Sequence, residues 1–153
     1  MLSVLRVLLL KKQEPDDWAR VKTMMSNWEE VSRQPRVVVG ISKITDFLKT
    51  ELKLDWVEEE DVQHAWGVLR TNAVEVAGGG GRALFPVAAI MSHSCAPCLE
   101  VLGVPGQQVL YRARRRIVRG EELTWRYHTF LQPREELQAK LLQEWHFTCC
   151  CPR

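Results

Sequence analysis

The apolar pattern of this 153-residue chain changes period once, near Asn72. Before that point apolar residues recur at three and four positions, the spacing of core-facing helices. After it, short alternating runs are cut by glycine and proline, the texture of small strands and tight turns. A closing stretch, QPREELQAKLLQEW, returns to helical spacing, with Pro133 at its start and Leu137, Leu141 and Trp145 as its buried stripe. Helices, then small strands, then one helix give an α+β fold class.

The helical half predicts four elements. The opening MLSVLRVLLLKK is apolar for ten residues apart from Ser3 and Arg6 and reads as a buried helix or a remnant of one. It falls far short of the roughly 20 residues of a membrane span, and Arg6, Lys11 and Lys12 are wrongly disposed for a secretory signal. No membrane association or secretion is therefore expected. PDDWARVKTMMSNWEEV forms one helix on the stripe Trp18, Val21, Met25 and Trp28, started by Pro15, Asp16 and Asp17. ISKITDFLKTEL places Ile41, Ile44, Phe47 and Leu48 on one side. EEEDVQHAWGVLRTN turns Val62, Trp66 and Leu69 inward, with Glu58 to Asp61 complementing the helix dipole. The tryptophans read as core anchors.

In the second half, AVEV and ALFPVAAI form extended segments around the glycine run 78–81. No Lys-Ser/Thr follows those glycines, so they are a turn and not a phosphate cradle. LEVLG, QQVLYRARRR and ELTWRY follow as short strands, with a turn at Pro105 and Gly106 and a break at Gly120. Lys plus Arg is 21 against 19 acidic residues, which gives no general attraction to polyanions. The local run Arg112, Arg114, Arg115, Arg116 and Arg119 is read as the solvated face of a strand, and no direct nucleic-acid partner is predicted.

With no export signal, the five cysteines are expected as thiols or metal ligands in a reducing compartment, nuclear or cytoplasmic. Cys149 and Cys151 can place two thiolates on one metal. A structural zinc needs four ligands, with Zn–S about 2.3 Å, so at least one comes from elsewhere. Cys95, in the loop MSHSCAPC shaped by Pro97, is the first candidate; Cys98, Cys150 and His146 are possible substitutes.

Three stretches together resemble a known family. SHSCAPC is similar to the N-H-S-C-x-P-N motif of SET-domain protein-lysine methyltransferases, GEELTWRY to their G-E-E-L-x-x-x-Y motif, and FTCCCPR to the start of their post-SET C-x-C-x-x-C zinc segment. LQPREELQAKLLQEWHF, LRTNAVEV and ALFPVAAIMSHSC further resemble the SET/MYND (SMYD) subfamily, nearest its arthropod-type SmydA/msta branch. The resemblance implies a SET fold of small curled sheets in which the segments around His93 and Tyr127 cross in a pseudoknot. It implies a helical insert over 1–72, a C-terminal SET core over 73–133, and a closing helix with a post-SET segment over 134–153.

It further implies S-adenosylmethionine as cofactor, contacted by Asn72, Met91, Ser92, His93 and Phe147. Tyr127 matches the catalytic tyrosine, Cys95, Cys149 and Cys151 match three zinc ligands, and a protein lysine, histone or not, is the substrate. Ser92 stands where the family has asparagine, exchanging a side-chain amide for one hydroxyl; the lost contact is worth on the order of 1 to 3 kcal/mol. Cys98 replaces the motif's second asparagine. The N-terminal SET strands with their G-x-G turn and the MYND cysteines have no counterpart, and the chain stops at Arg153 where another cysteine is due, so a longer parent protein is expected. The alternative function is a SET-like, zinc-stabilised interaction module in transcriptional regulation, without catalysis.

Overall fold

The computed structural model describes residues 1–76, 81–104, 108–128 and 132–151. The chain divides into two compact units, Met1–Asn72 and Ala73–Arg153.

The first unit is helical: α1 (Leu2–Gln13), α2 (Pro15–Thr23), α3 (Trp28–Val31), α4 (Pro35–Thr50) and α5 (Glu59–Asn72). Helix α5 packs against each of the other four, because its apolar positions cover more than one stripe. Val62, Ala65 and Val68 are fully buried, as are Leu8 of α1 and Leu48 of α4. Burial of such aliphatic side chains contributes about 1.5 to 3 kcal/mol each and holds the unit together. Asp61 is buried within it, and its carboxylate accepts from Lys11 Nζ at 2.5 Å and Lys22 Nζ at 3.5 Å.

The expected helix over PDDWARVKTMMSNWEEV is instead two helices, because α5 captures the chain between them. Asn27 lies in the left-handed region at φ 51°, and its amide donates to Thr71 Oγ1 at 3.2 Å. The Asn72 amide donates to the Met25 carbonyl at 2.8 Å, and His64 Nε2 lies 2.9 Å from the Val21 carbonyl. His64 and Asn72 thus meet main-chain carbonyls at the break, while Thr71 fixes the Asn27 side chain. Gly67 makes the approach possible: a Cβ there would stand 2.4 Å from the Ser26 carbonyl oxygen. Met25, expected inward, is consequently exposed.

Helix α4 begins earlier than its apolar stripe suggested, at Pro35 in the first turn. Ile41, Thr45 and Leu48 face inward while Phe47 does not, since the i, i+4, i+7 row selects Thr45. The tryptophans of this unit are half-buried edge residues more than core anchors. Lys12, Lys22 and Arg70 lie over Trp56, Trp18 and Trp66 at 5.5, 5.7 and 5.6 Å, where flat rings gain from a hydrated cation.

The second unit carries β1 (Val74–Val76), β2 (Gly81–Ala83), β3 (Ser92–His93), β4 (Leu99–Val104), β5 (Gln108–Ala113), β6 (Thr124–Trp125) and α6 (Arg134–Trp145). Strands pair as β1 with β2 and β4 with β5, both antiparallel, and β3 with β6, parallel. The stretch ALFPVAAI is extended only at its start; Ala88–Ile90 is a short 3-10 turn. Glycines 78–80 and the turn at Pro105 and Gly106 lie outside the described residues. Of the arginine run only Arg112 is on a strand, paired with Glu100 at 2.8 Å; Arg115, beyond the strand end, pairs with Glu121. Among the described residues no helix is long and apolar enough to cross a membrane.

Candidate active site and thiol cluster

The parallel pair β3–β6 is two residues long, Ser92 opposite Thr124 and His93 opposite Trp125. So short a ladder needs other anchors, and the loop after β3 supplies them. The Ser94 N–H donates to the Trp125 carbonyl at 3.0 Å, while Ser94 Oγ accepts from Ala96 N–H at 3.2 Å and turns the chain. Arg126 donates to the Cys95 carbonyl at 2.6 Å. Cys98, fully buried, closes the clasp: its N–H donates to Thr124 Oγ1 at 3.3 Å and its sulfur accepts the Thr124 N–H at 3.2 Å. A thiol therefore serves where an amide was expected, since sulfur can accept an N–H and offer a weak S–H.

Tyr127 follows β6 and is doubly held. Its hydroxyl donates to the Met91 carbonyl at 2.9 Å, and its N–H donates to His93 Nδ1 at 3.2 Å. Burial, with the Glu122 carboxylate and Tyr111 nearby, pushes its hydroxyl above the usual tyrosine range. His93, packed edge-on against Tyr127 at 5.3 Å between centroids, is held down to about 4 by burial and by neighbouring His128 and Arg126. It is a neutral imidazole at neutral pH.

Aromatic rings surround Tyr127: Trp125 at 5.1 Å, Trp145 at 5.2 Å and Phe147 at 6.3 Å. Trp125, Trp145 and Glu122 did not stand out in the sequence as site residues; the aromatic density of TWRYH was the available signal. Ser92 Oγ donates to Glu122 Oε1 at 2.5 Å, so the hydroxyl expected to face a cofactor is engaged with a carboxylate.

The thiols meet at the far end of β3. Cys95 and Cys149 are buried with their sulfurs 4.0 Å apart, Cys149 and Cys151 sulfurs are 3.0 Å apart, and the Cys95 N–H donates to Cys151 Sγ at 3.2 Å. Two features of α6 position them. His146 ends the helix in the left-handed conformation at φ 62° and redirects the chain. Gln138 then binds the backbone of Cys149 twice, donating to its carbonyl at 2.7 Å and accepting its N–H at 2.9 Å.

Burial and the neighbouring thiols push Cys95 up to about 12, and burial likewise raises Cys149. Cys151, though burial opposes it, is brought down to about 7 by hydrogen bonds from the Cys149 thiol and the Cys95 N–H. One proton of the cluster is thus released far more readily than the others.

These donors suit zinc. Tetrahedral bonds of about 2.3 Å set sulfurs about 3.8 Å apart; the Cys95–Cys149 separation is already near that, and Cys151 needs to open by less than an ångström. Ligand atoms of His93, Cys95 and Cys149 all lie within 4.8 Å of one another. Cys150 is exposed, its thiol on the Thr148 carbonyl, and Cys98 is committed to Thr124, so neither joins the cluster. Asn72 belongs to the helical unit and spends its amide on the Met25 and Val68 carbonyls. The structure brings together Met91, Ser92, His93, Tyr127 and Phe147 with Cys95, Cys149 and Cys151.

Residues 7–128 match the SET domain family. The SET domain-containing protein SmydA-8, isoform A, of Drosophila melanogaster is 30% identical over 159 aligned residues, covering 100% of this chain and 33% of that protein. The N-lysine methyltransferase SMYD2 of Homo sapiens is 37% identical over 71 residues, 46% of this chain and 16% of its own length. The histone-lysine N-methyltransferase SMYD3 of Mus musculus is 37% identical over 73 residues, 48% of this chain and 17% of its own. The chain thus spans about a third of the fly relative. Because the family match runs through the helices and on to β3, β6 and Tyr127, and the relatives are SMYD proteins, this chain belongs to the SET-domain family and fits its SMYD group.

Proposed function

We propose that the protein is an S-adenosylmethionine-dependent lysine N-methyltransferase acting on proteins in the nucleus or cytoplasm, histone or not, with zinc at Cys95, Cys149 and Cys151. In this reading the β3–β6 crossing is the SET pseudoknot, residues 1–72 are the helical insert, 73–133 the SET core, and 134–153 the closing helix and post-SET segment. The observation that carries it is the pairing of β3 with β6, which sets Tyr127 against Met91 and His93 and Ser92 opposite Thr124. The donor set suits the cofactor in kind: a carboxylate and hydroxyl at Glu122 and Ser92 for an ammonium, and the Phe147 ring for a purine. Asn72 is assigned to the same cofactor from the family resemblance alone.

Bound S-adenosylmethionine supplies an electrophilic methyl on a sulfonium. Tyr127 commits its hydroxyl proton to the Met91 carbonyl, which leaves its oxygen lone pairs to accept an N–H of the lysine amine and aim the amine lone pair. A neutral hydroxyl persists well into alkaline pH because its ionisation is pushed up by burial. Trp125 and Trp145, packed on the Tyr127 ring at 5.1 and 5.2 Å, keep water from the amine.

The Ser92–Glu122 bond favours a second reading, a SET-like interaction module in transcriptional regulation that keeps the metal without binding cofactor. Calorimetric titration of S-adenosylmethionine into the protein separates the two. Binding, with methyl transfer abolished by Tyr127→Phe, supports the enzyme; no heat at millimolar cofactor with zinc retained supports the module.

A further inference from the structure

On distance alone His93 counts as a metal ligand, its nitrogen lying with the Cys95 and Cys149 sulfurs inside 4.8 Å. The hydrogen bonds around its ring point elsewhere. The Tyr127 N–H donates to Nδ1 at 3.2 Å, so that nitrogen presents its lone pair, and the proton of the neutral ring belongs to Nε2. Nε2 in turn lies 3.5 Å from Cys95 Sγ, at hydrogen-bonding distance for sulfur. A metal taken at Nε2 would force the ring proton onto Nδ1 and set it against the Tyr127 N–H. Two buried donors would then face each other with no acceptor between them. Histidines that bind metals almost always donate their second nitrogen's proton to a carboxylate, a backbone carbonyl or water; here the second nitrogen meets an N–H donor.

We propose that His93 is a positioning residue of the thiol site and not one of its ligands: Nε2–H donates to the Cys95 sulfur while Nδ1 holds the backbone of Tyr127. The inference rests on the metal reading above. One imidazole then joins the metal centre to the backbone of Tyr127. With both ring nitrogens engaged, only the backbone of His93 is left for a cofactor. The fourth metal position falls to a donor other than His93.

Long-range proton–nitrogen NMR of the chain, loaded with zinc and after chelation, reads the tautomer directly, with the His93 signals identified by their loss in His93→Gln. The expected result is a bare Nδ1 and a protonated Nε2 in both states. A proton on Nδ1 with Nε2 bound to zinc overturns the proposal. Cobalt(II) gives a second test that tolerates loss of the ring. His93→Gln, which keeps an N–H donor, should retain the sulfur-to-cobalt absorption bands and bind within about threefold of the unsubstituted chain, whereas His93→Ala binds roughly 10- to 100-fold more weakly. A changed band pattern in His93→Gln marks the ring as a ligand and overturns the proposal. If neither zinc nor cobalt binds, the metal reading fails by itself, and the metal-free tautomer still decides the bridge: Nε2–H sustains it and Nδ1–H sinks it.

Discussion

Asp61 shows how a single charge can be kept inside a small helical unit. Its carboxylate is buried but meets two ammonium groups that themselves reach water. Asp61→Ala leaves those lysines free to hydrate, so the expected loss is moderate, about 1 to 3 kcal/mol, read from urea unfolding. Ser92 bears on cofactor binding in the same way, through one side chain. Its hydroxyl is bound to Glu122, and Ser92→Asn restores a donor and an acceptor on a longer arm. Cofactor affinity should rise about tenfold by calorimetry, and an unchanged value would remove Ser92 as the limiting contact.

At the scale of elements, α5 shapes its neighbours through residues that do not face the apolar core. Gly67→Ala gains about 1 kcal/mol of helix propensity, but the new methyl meets the Ser26 backbone. Net destabilisation of about 1 to 3 kcal/mol is expected from thermal unfolding. Gln138 is the counterpart on α6: Gln138→Ala removes both bonds to the Cys149 backbone, and zinc affinity should fall about tenfold with helix content unchanged by circular dichroism. Neither role was legible in the sequence. A continuous apolar run located α1, and periodicity located α5 and α6, because burial of apolar side chains is a local signal. The break at Met24–Asn27 was not visible, because it depends on His64, Thr71 and Asn72 reaching back across more than forty residues. At the site, resemblance to the SET motifs singled out His93, Tyr127 and the three thiols. What His93 does with each nitrogen is a matter of geometry that no spacing encodes.

For the whole molecule, zinc and alkali are the informative perturbants. One zinc per chain is expected by elemental analysis, and its removal should lower the melting temperature of the second unit, since a ligand at about 1,000 times its Kd adds about 4 kcal/mol. Tyr111 and Tyr127 are both raised above the ordinary tyrosine value of 10.0, chiefly by burial. In the unfolded chain they ionise first, so their contribution is full below pH 10 and is lost as pH rises through the folded values; unfolding followed against pH should show this alkaline loss. The β3–β6 pairing also sets an order of events in time. Its strands stand about thirty residues apart in the chain, with the β4–β5 hairpin between them, and two ladder positions repay little of the entropy of closing so long a loop. The hairpin, closed locally, shortens that loop before the crossing forms. In pulsed hydrogen exchange the amides of Ser94 and Tyr127 should therefore gain protection after those of β4 and β5, making the site one of the last parts of its unit to fold.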